Sequence, residues 1–135
     1  MAETILKYNY NSELEGYEVI GYDSIANDGI LIIPDTYNGK PVVKIVEKAF
    51  YTNSNIKHLT IGENISEIGY SAFSYCNNLE TVTGGSKTGL KIGYATFEAC
   101  EKLKEVNLSN SLKEIHGDAF RNCTSLENFI IPNSI

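Results

Sequence analysis

The stretch IGYSAFSYCNNLETV, residues 68–82, returns as IGYATFEACEKLKEV at 92–106, and in looser form as IVEKAFYTNSNIKHL at 45–59 and IHGDAFRNCTSLENF at 115–129. The anchoring Ile45, Ile68, Ile92 and Ile115 are spaced by 23, 24 and 23 residues, and Phe50, Phe73, Phe97 and Phe120 follow each by five. A period in the twenties with one aliphatic run per unit marks a solenoid, in which each repeat buries its apolar face only against its neighbours. Such a repeat specifies a scaffold and leaves its ligand open.

Aligned on the phenylalanines, the units form columns. Six residues on stand Ile56, Leu79, Leu103 and Leu126; nine on, Leu59, Val82, Val106 and Phe129; eleven on, Ile61, Gly84, Leu108 and Ile131. This LxxLxL spacing predicts a short strand with the marked residues inside and the intervening ones in solvent. A second apolar pair, Val42 and Ile45, Ile65 and Ile68, or Leu112 and Ile115, gives each coil another inward run. The small residue before each phenylalanine (Ala49, Ala72, Thr96, Ala119) predicts a tight or helical turn. The fold expected is a β-rich α/β solenoid with parallel sheets, short helical or 3₁₀ turns and an N-terminal β-hairpin cap. One coil cannot fold alone, because ordering its backbone outweighs the burial it achieves unaided.

Outside the repeat, Leu6, Tyr8 and Tyr10, then Tyr17, Val19 and Tyr22, alternate like two strands joined across Asn11 to Gly16. The run Ile30 to Pro34 matches Phe129 to Pro132 of the last repeat, and Asn38-Gly39 marks a turn. Residues 1–135 therefore read as one domain: 1–44 as cap and degenerate first coil, 45–135 as four repeats, the last open-ended. The one 24-residue unit carries its extra residue in Gly84 to Gly89, which has neither the spacing nor the following helix of a phosphate loop.

A net charge of −6 with a single arginine provides no basic stripe for phosphates, so nucleic acid is not an expected partner. No apolar run approaches the roughly 20 residues of a membrane helix, and the N-terminus does not read as a signal peptide.

The AF-x-x-C-x-x-L core with an upstream I-G and a downstream I-P, as in IGYSAFSYCNNLETV and IHGDAFRNCTSLENFIIPNSI, resembles the BspA-type leucine-rich repeat family of bacterial and protozoan surface proteins, over about residues 17–135. The resemblance implies a β-rich solenoid, a secreted or cell-surface location, and adhesion to host, matrix or other cell-surface proteins. An intracellular interaction or inhibitor protein on the same scaffold, and a carbohydrate-binding or hydrolytic protein, are the alternatives.

Cys76, Cys100 and Cys123 share one column, with Asn53 in the same place of the first unit. One thiol per coil is poor spacing for a metal, and a ladder of buried thiols is expected. His58 and His116 fall in different columns without a spaced nucleophile or carboxylate. No enzyme, cofactor or metal site is expected. Two columns invite a binding role. The solvent positions of the LxxLxL strand are Ile30 and Ile32, His58 and Thr60, Thr81 and Thr83, Glu105 and Asn107, Asn128 and Ile130. Tyr70 and Tyr94, joined near the turn by Tyr51 and Tyr75, would form an aromatic flank. Lys44, Glu67, Lys91 and Glu114 alternate in sign from coil to coil and read as a register device. A protein partner is expected and a glycan is the alternative, with self-association through the apolar C-terminal end as a further expectation.

Overall fold

The computed structural model describes residues 3–85, 89–108 and 112–129. Twelve strands follow one another there: β1 (Ile5–Asn11), β2 (Gly16–Ser24), β3 (Ile30–Ile32), β4 (Thr36–Tyr37), β5 (Lys40–Ile45), β6 (His58–Ile61), β7 (Glu67–Ile68), β8 (Thr81–Gly84), β9 (Leu90–Ile92), β10 (Glu105–Asn107), β11 (Leu112–Ile115) and β12 (Asn128–Phe129). The chain winds between two sheets. One runs β1-β2-β5-β7-β9-β11 with β4 paired to β5, and the other runs β12-β10-β8-β6-β3. Apart from the two hairpins β1–β2 and β4–β5, every pair is parallel.

The second sheet is the LxxLxL strand. Leu31, Leu59, Val82 and Val106 lie opposite one another and are buried, as their period demands. The second inward run builds the other sheet, with Val42, Ile45, Ile65, Ile68, Leu90, Ile92 and Leu112 all buried. Where β9 spaces its apolar pair by two residues and β11 by three, the register shifts between Leu112 and Glu114, which brings Ile115 opposite Ile92. Residues 86–88 of the glycine-rich insertion lie outside the described residues, and Val82 before it and Leu90 after it keep their inward places.

The expected helical turns are not there. Among the described residues the chain has no helix, so its class is a β-solenoid, not α/β. The reason is visible in the amides of the AF segment. Lys48, Phe50 and Thr52 donate to the carbonyls of Tyr70, Ala72 and Ser74 in the next coil, while Ala49, Tyr51 and Asn53 donate back to Val46, Lys48 and Phe50. The next coil repeats the pattern, with Ser71, Phe73 and Tyr75 reaching Tyr94, Thr96 and Glu98. A helix turns all its amides along its own axis; here every second one is spent on the neighbour. To turn that way the backbone visits the left-handed region twice per coil, at Lys48 and Thr52, Ser71 and Tyr75, Ala95 and Ala99, Asp118 and Asn122, with φ between 52° and 61°. None of these is glycine, and each such residue costs about 1–2 kcal/mol.

The side chains of this face stack as well. Tyr22, Phe50, Phe73, Phe97 and Phe120 form a column of near-parallel rings with centroids 5.0–5.5 Å apart, in the offset range that favours aromatic pairs. The I-G dipeptide has its own cause. A Cβ at Gly69 would come 2.7 Å from the Glu47 amide nitrogen, and one at Gly93 would come 2.9 Å from the Ile68 carbonyl oxygen.

At the N-terminal end the predicted hairpin is present, and β2 does more than cap. It pairs in parallel with β5 and so is the first strand of the coil array, while Leu6, Tyr8, Tyr17 and Tyr22 pack on the core. Asn38 and Gly39, at φ 49° and 76°, make the β4–β5 turn with two left-handed residues, as a tight two-residue hairpin requires.

Two substitutions of opposite sign follow. Phe73→Ala removes the central ring of the column and should cost about 3–5 kcal/mol in urea unfolding. Thr52→Gly should gain about 1 kcal/mol, because an exposed β-branched residue held at φ 61° gives way to one that accepts that conformation.

Candidate functional site

The outer face of the shorter sheet presents two straight rows. Ile30, His58, Thr81, Glu105 and Asn128 lie in register in one, and Ile32, Thr60, Thr83 and Asn107 in the other. The predicted strand-face residues are thus brought together, except Ile130, which lies outside the described residues, as does Ile131 of the C-terminal end. The rows are laced within themselves. His58 Nδ1 is 2.9 Å from Thr81 Oγ1, and the hydroxyls of Thr60 and Thr83 are 3.4 Å apart. Some of the polar capacity of this face is therefore already used between coils.

The tyrosine flank has stronger features. Tyr51, Tyr70, Tyr75 and Tyr94 are all exposed, Tyr94 the most at 58%. Tyr70 and Tyr94 occupy the same place in consecutive coils, and Tyr51 meets Tyr75 edge to face at 6.0 Å. Lys48 Nζ lies 5.9 Å from the centroids of both Tyr51 and Tyr70, a cation shared by two rings. Tyr94 lies 4.9 Å from the ring of His116, whose Nε2 is 3.3 Å from Glu114 Oε2. Aligning columns finds the tyrosines but not Lys48, because it comes from a turn residue of left-handed backbone that only the folded coil turns toward them. A second aromatic cluster also escapes the repeat pattern: Tyr8 stacks on Tyr37 at 3.8 Å, with Tyr17 edge-on to both and Tyr10 edge-on to Tyr17.

The cysteines line the inside. Each thiol donates to a phenylalanine carbonyl one coil back: Cys76 to Phe50, Cys100 to Phe73 and Cys123 to Phe97, at 3.3, 3.2 and 3.1 Å. Asn53, in the same place of the first unit, instead accepts the amides of Asn55 and Ile56 at 2.8 and 3.2 Å. Burial pushes the thiol of Cys76 up to about 12 and that of Cys123 up to about 11, and raises Cys100 as well. Cys76 and Cys100 are buried as expected, whereas Cys123 is only partly so. Among the described residues no group of His, Cys, Asp or Glu side chains is arranged to hold a metal ion, and no helix is long and apolar enough to cross a membrane.

The charge column behaves as register chemistry. Lys44 Nζ is 3.1 Å from Glu67 Oε2, Glu67 pairs across to Lys91, and Lys91 to Glu114. A second such column, Lys57, Glu80, Lys104 and Glu127, precedes the other sheet, with Lys104 Nζ 3.4 Å from Glu80 Oε1. Both pairs are partly exposed and contribute little energy, but like charges meet if a coil slips by one repeat.

The family description "BspA type Leucine rich repeat region (6 copies)" matches residues 32–135. The chain belongs to the BspA-type leucine-rich repeat family. No curated protein matches it significantly. Among solved structures, a leucine rich cell surface protein from Faecalibacterium prausnitzii A2-165 is similar with a TM-score of 0.81 and 26% identity, over 100% of this chain and 37% of that one. A leucine-rich repeat protein from Bacteroides capillosus is similar with a TM-score of 0.72 and 27% identity over 86% of each chain. The leucine-rich repeat protein of T. pallidum is similar at 0.61 and 26%, over 90% of this chain and 66% of that one. The chain thus spans little more than a third of the Faecalibacterium protein's length.

Thiol chemistry reports the burial directly. With iodoacetamide in native buffer Cys123 should react slowly and first, and Cys76 and Cys100 only after denaturant is added, since the thiolate is the reactive form. Raised thiol pKa values also set a sign. Stability is intact below the ordinary thiol value of 9.0 and falls as pH rises from there toward about 12, because the unfolded chain ionises first. Thermal melts should show this loss, smaller when all three cysteines are alanine. On the strand face, Thr81→Lys with Thr83→Lys removes the His58 and Thr60 bonds and should cost about 1–2 kcal/mol while leaving the fold intact, whereas Val82→Asp should abolish the cooperative transition by burying an unpaired charge.

Proposed function

We propose that this chain is a non-catalytic protein-binding module that works at the cell surface or after secretion, and that it engages its partner through the tyrosine flank. The observation that carries the reading is the run of exposed tyrosines over consecutive coils, two of them sharing the Lys48 cation. Tyrosine offers a large, rigid contact area at low entropic cost and a hydroxyl for hydrogen bonding, and contiguous exposed aromatic surface is the kind that partners cover. The flank is also built on a rigid support, because each tyrosine stands on a turn pinned by amides to the next coil. The strand-face rows contribute less in this reading, since His58, Thr81, Thr60 and Thr83 already bond to one another. The cell-surface location is supported by the family and by the Faecalibacterium protein, described as a leucine rich cell surface protein.

The test compares the wild-type chain with the Tyr51→Ala, Tyr70→Ala, Tyr94→Ala triple variant, after circular dichroism shows that the two are equally folded. Both are immobilised and exposed to host-matrix and own-cell surface extracts, with glycan arrays run alongside. A partner held by the wild type and lost by at least about tenfold in the variant, the loss expected for a removed aromatic hot spot, supports the reading. Equal capture by both proteins would move the site elsewhere, and binding confined to the glycan arrays would make the flank a carbohydrate site.

A further inference from the structure

The two sheets are unequal at the N-terminal end of the solenoid. The longer one continues past its last parallel strand, β2, to β1, whereas the shorter one stops at β3, and among the described residues no strand pairs with the outer edge of β3. On the inner edge, Gly29 accepts the amide of His58 at 3.0 Å and Ile33 donates to Thr60 at 2.9 Å. Backbone groups alternate along a strand, so those of Ile30 and Ile32 point the other way, out of the sheet. The Ile30 amide is held by Asp28 Oδ1 at 2.9 Å. The Ile30 carbonyl and both backbone groups of Ile32 are left at the open edge.

A groove of about 280 Å³ runs along this edge, between Thr4, Leu6 and Tyr8 of the N-terminal segment and Ile30, Ile32 and Pro34. Ile30 and Ile32 are 46% and 60% exposed, so two β-branched residues face water beside an unused ladder. Proteins ordinarily blunt such an edge with inward charges, bulges or a covering segment. The charges stand at one end of it. The exposed carboxylates of Glu3 and Asp28 lie just before Thr4 and just before Gly29, whereas that of Asp35, just after Pro34, accepts the Glu63 amide at 2.9 Å on the β6 side. Lys57 packs its stem near Gly29 on the β6 side of the strand, away from the open edge.

We propose that the outer edge of β3 is a strand-addition site for an extended partner peptide in which apolar and small polar residues alternate and a basic residue stands at the end. Such a peptide would bond to the Ile30 and Ile32 backbone, lay alternate side chains on Leu6 and Tyr8, place the others beside Ile30 and Ile32, and bring a terminal cation to Glu3 and Asp28 at the acidic end of the groove. It would also supply the strand that the shorter sheet lacks opposite β1. Main-chain bonds give affinity in this mode and the alternate side chains and charges give selectivity. The site is separate from the tyrosine flank.

The probe is a short synthetic peptide of alternating valine and threonine with two lysines at each end, titrated into the intact chain. Two control peptides carry glutamates in place of the lysines, or a proline in place of the central valine. Binding should be at least about tenfold weaker for the glutamate peptide and for the proline peptide, which loses a main-chain donor. The lysine peptide should also bind at least about tenfold more weakly to Ile32→Lys, which adds a like charge at the edge. Amide exchange at Ile32 should slow when the lysine peptide is present, while Leu31, already facing β6, should change little. The Glu3→Gln, Asp28→Asn variant keeps the Asp28 acceptor for the Ile30 amide and should lose most of the preference for lysine over glutamate ends. The Tyr51→Ala, Tyr70→Ala, Tyr94→Ala variant should bind the peptide as the wild type does. No binding, equal binding of lysine and glutamate peptides, or binding without slowed exchange at Ile32 would overturn the proposal. Protection of Ile32 that rises with protein concentration alone would replace the peptide by a second copy of the chain and overturn it equally.

Discussion

Three successive coils among the described residues send half the amides of their AF segments to the coil that follows. Because Lys48, Phe50 and Thr52 donate outward while Ala49, Tyr51 and Asn53 donate back, a coil can satisfy its backbone only when the next is in place at the right height. Two left-handed residues per coil are the conformational cost of this alternation, and inter-coil bonds and the ring column offset it. Stability is therefore a property of the array more than of any repeat. The requirement also accounts for the side chains. Small residues precede the phenylalanines because that position is enclosed, and where Thr96 replaces alanine its hydroxyl donates its one proton to the Gly93 carbonyl at 2.8 Å, with that of Gly69 3.2 Å away.

The same stacking separates inert chemistry from available chemistry. The three thiols, a buried ladder by their column, are bonded to carbonyls, Cys76 and Cys100 fully inside and Cys123 partly so, and serve as small packing groups. What remains outside is repetitive: two rows of hydroxyl, amide and imidazole groups on one sheet, two columns of alternating charge, and tyrosines on the turns. A rigid surface with spaced, repeated groups suits recognition of a large partner. Binding there carries little cost of ordering the site itself.

Much of the fold was legible, and the reasons are local. Period and column alignment locate both sheets, because an inward residue of one coil must lie over an inward residue of the next, as Leu59 does over Val82 and Ile45 over Ile68. The hairpin across Asn11 to Gly16 follows from alternation, and the turn at Asn38-Gly39 from residues that tolerate positive φ. Of the two readings of the AF segment the tight turn is the one the chain adopts and the helical turn is not, because a small residue before a large one fits both equally well. The left-handed residues, Lys48, Ser71, Ala95 and Asp118 in one column, share no side-chain type that would betray them. Of the candidate site, the tyrosines and the strand face were legible as columns, whereas Lys48 between two rings, the cap cluster of Tyr8, Tyr17 and Tyr37, and the open edge of β3 were not.

The amino-acid sequence by itself determined the period, the inward columns, the charge ladder of Lys44, Glu67, Lys91 and Glu114, and the family, since each depends on residue type at fixed spacing. Tertiary structure alone decided where the amides go, and with them whether the AF segment is helix or ladder, because that choice is made between coils and not within one. It also decided which surface groups are already satisfied by a neighbour and which edge of a sheet is left without one. Those relations join residues far apart in the chain through the stacking of coils, and no short stretch of sequence contains both partners.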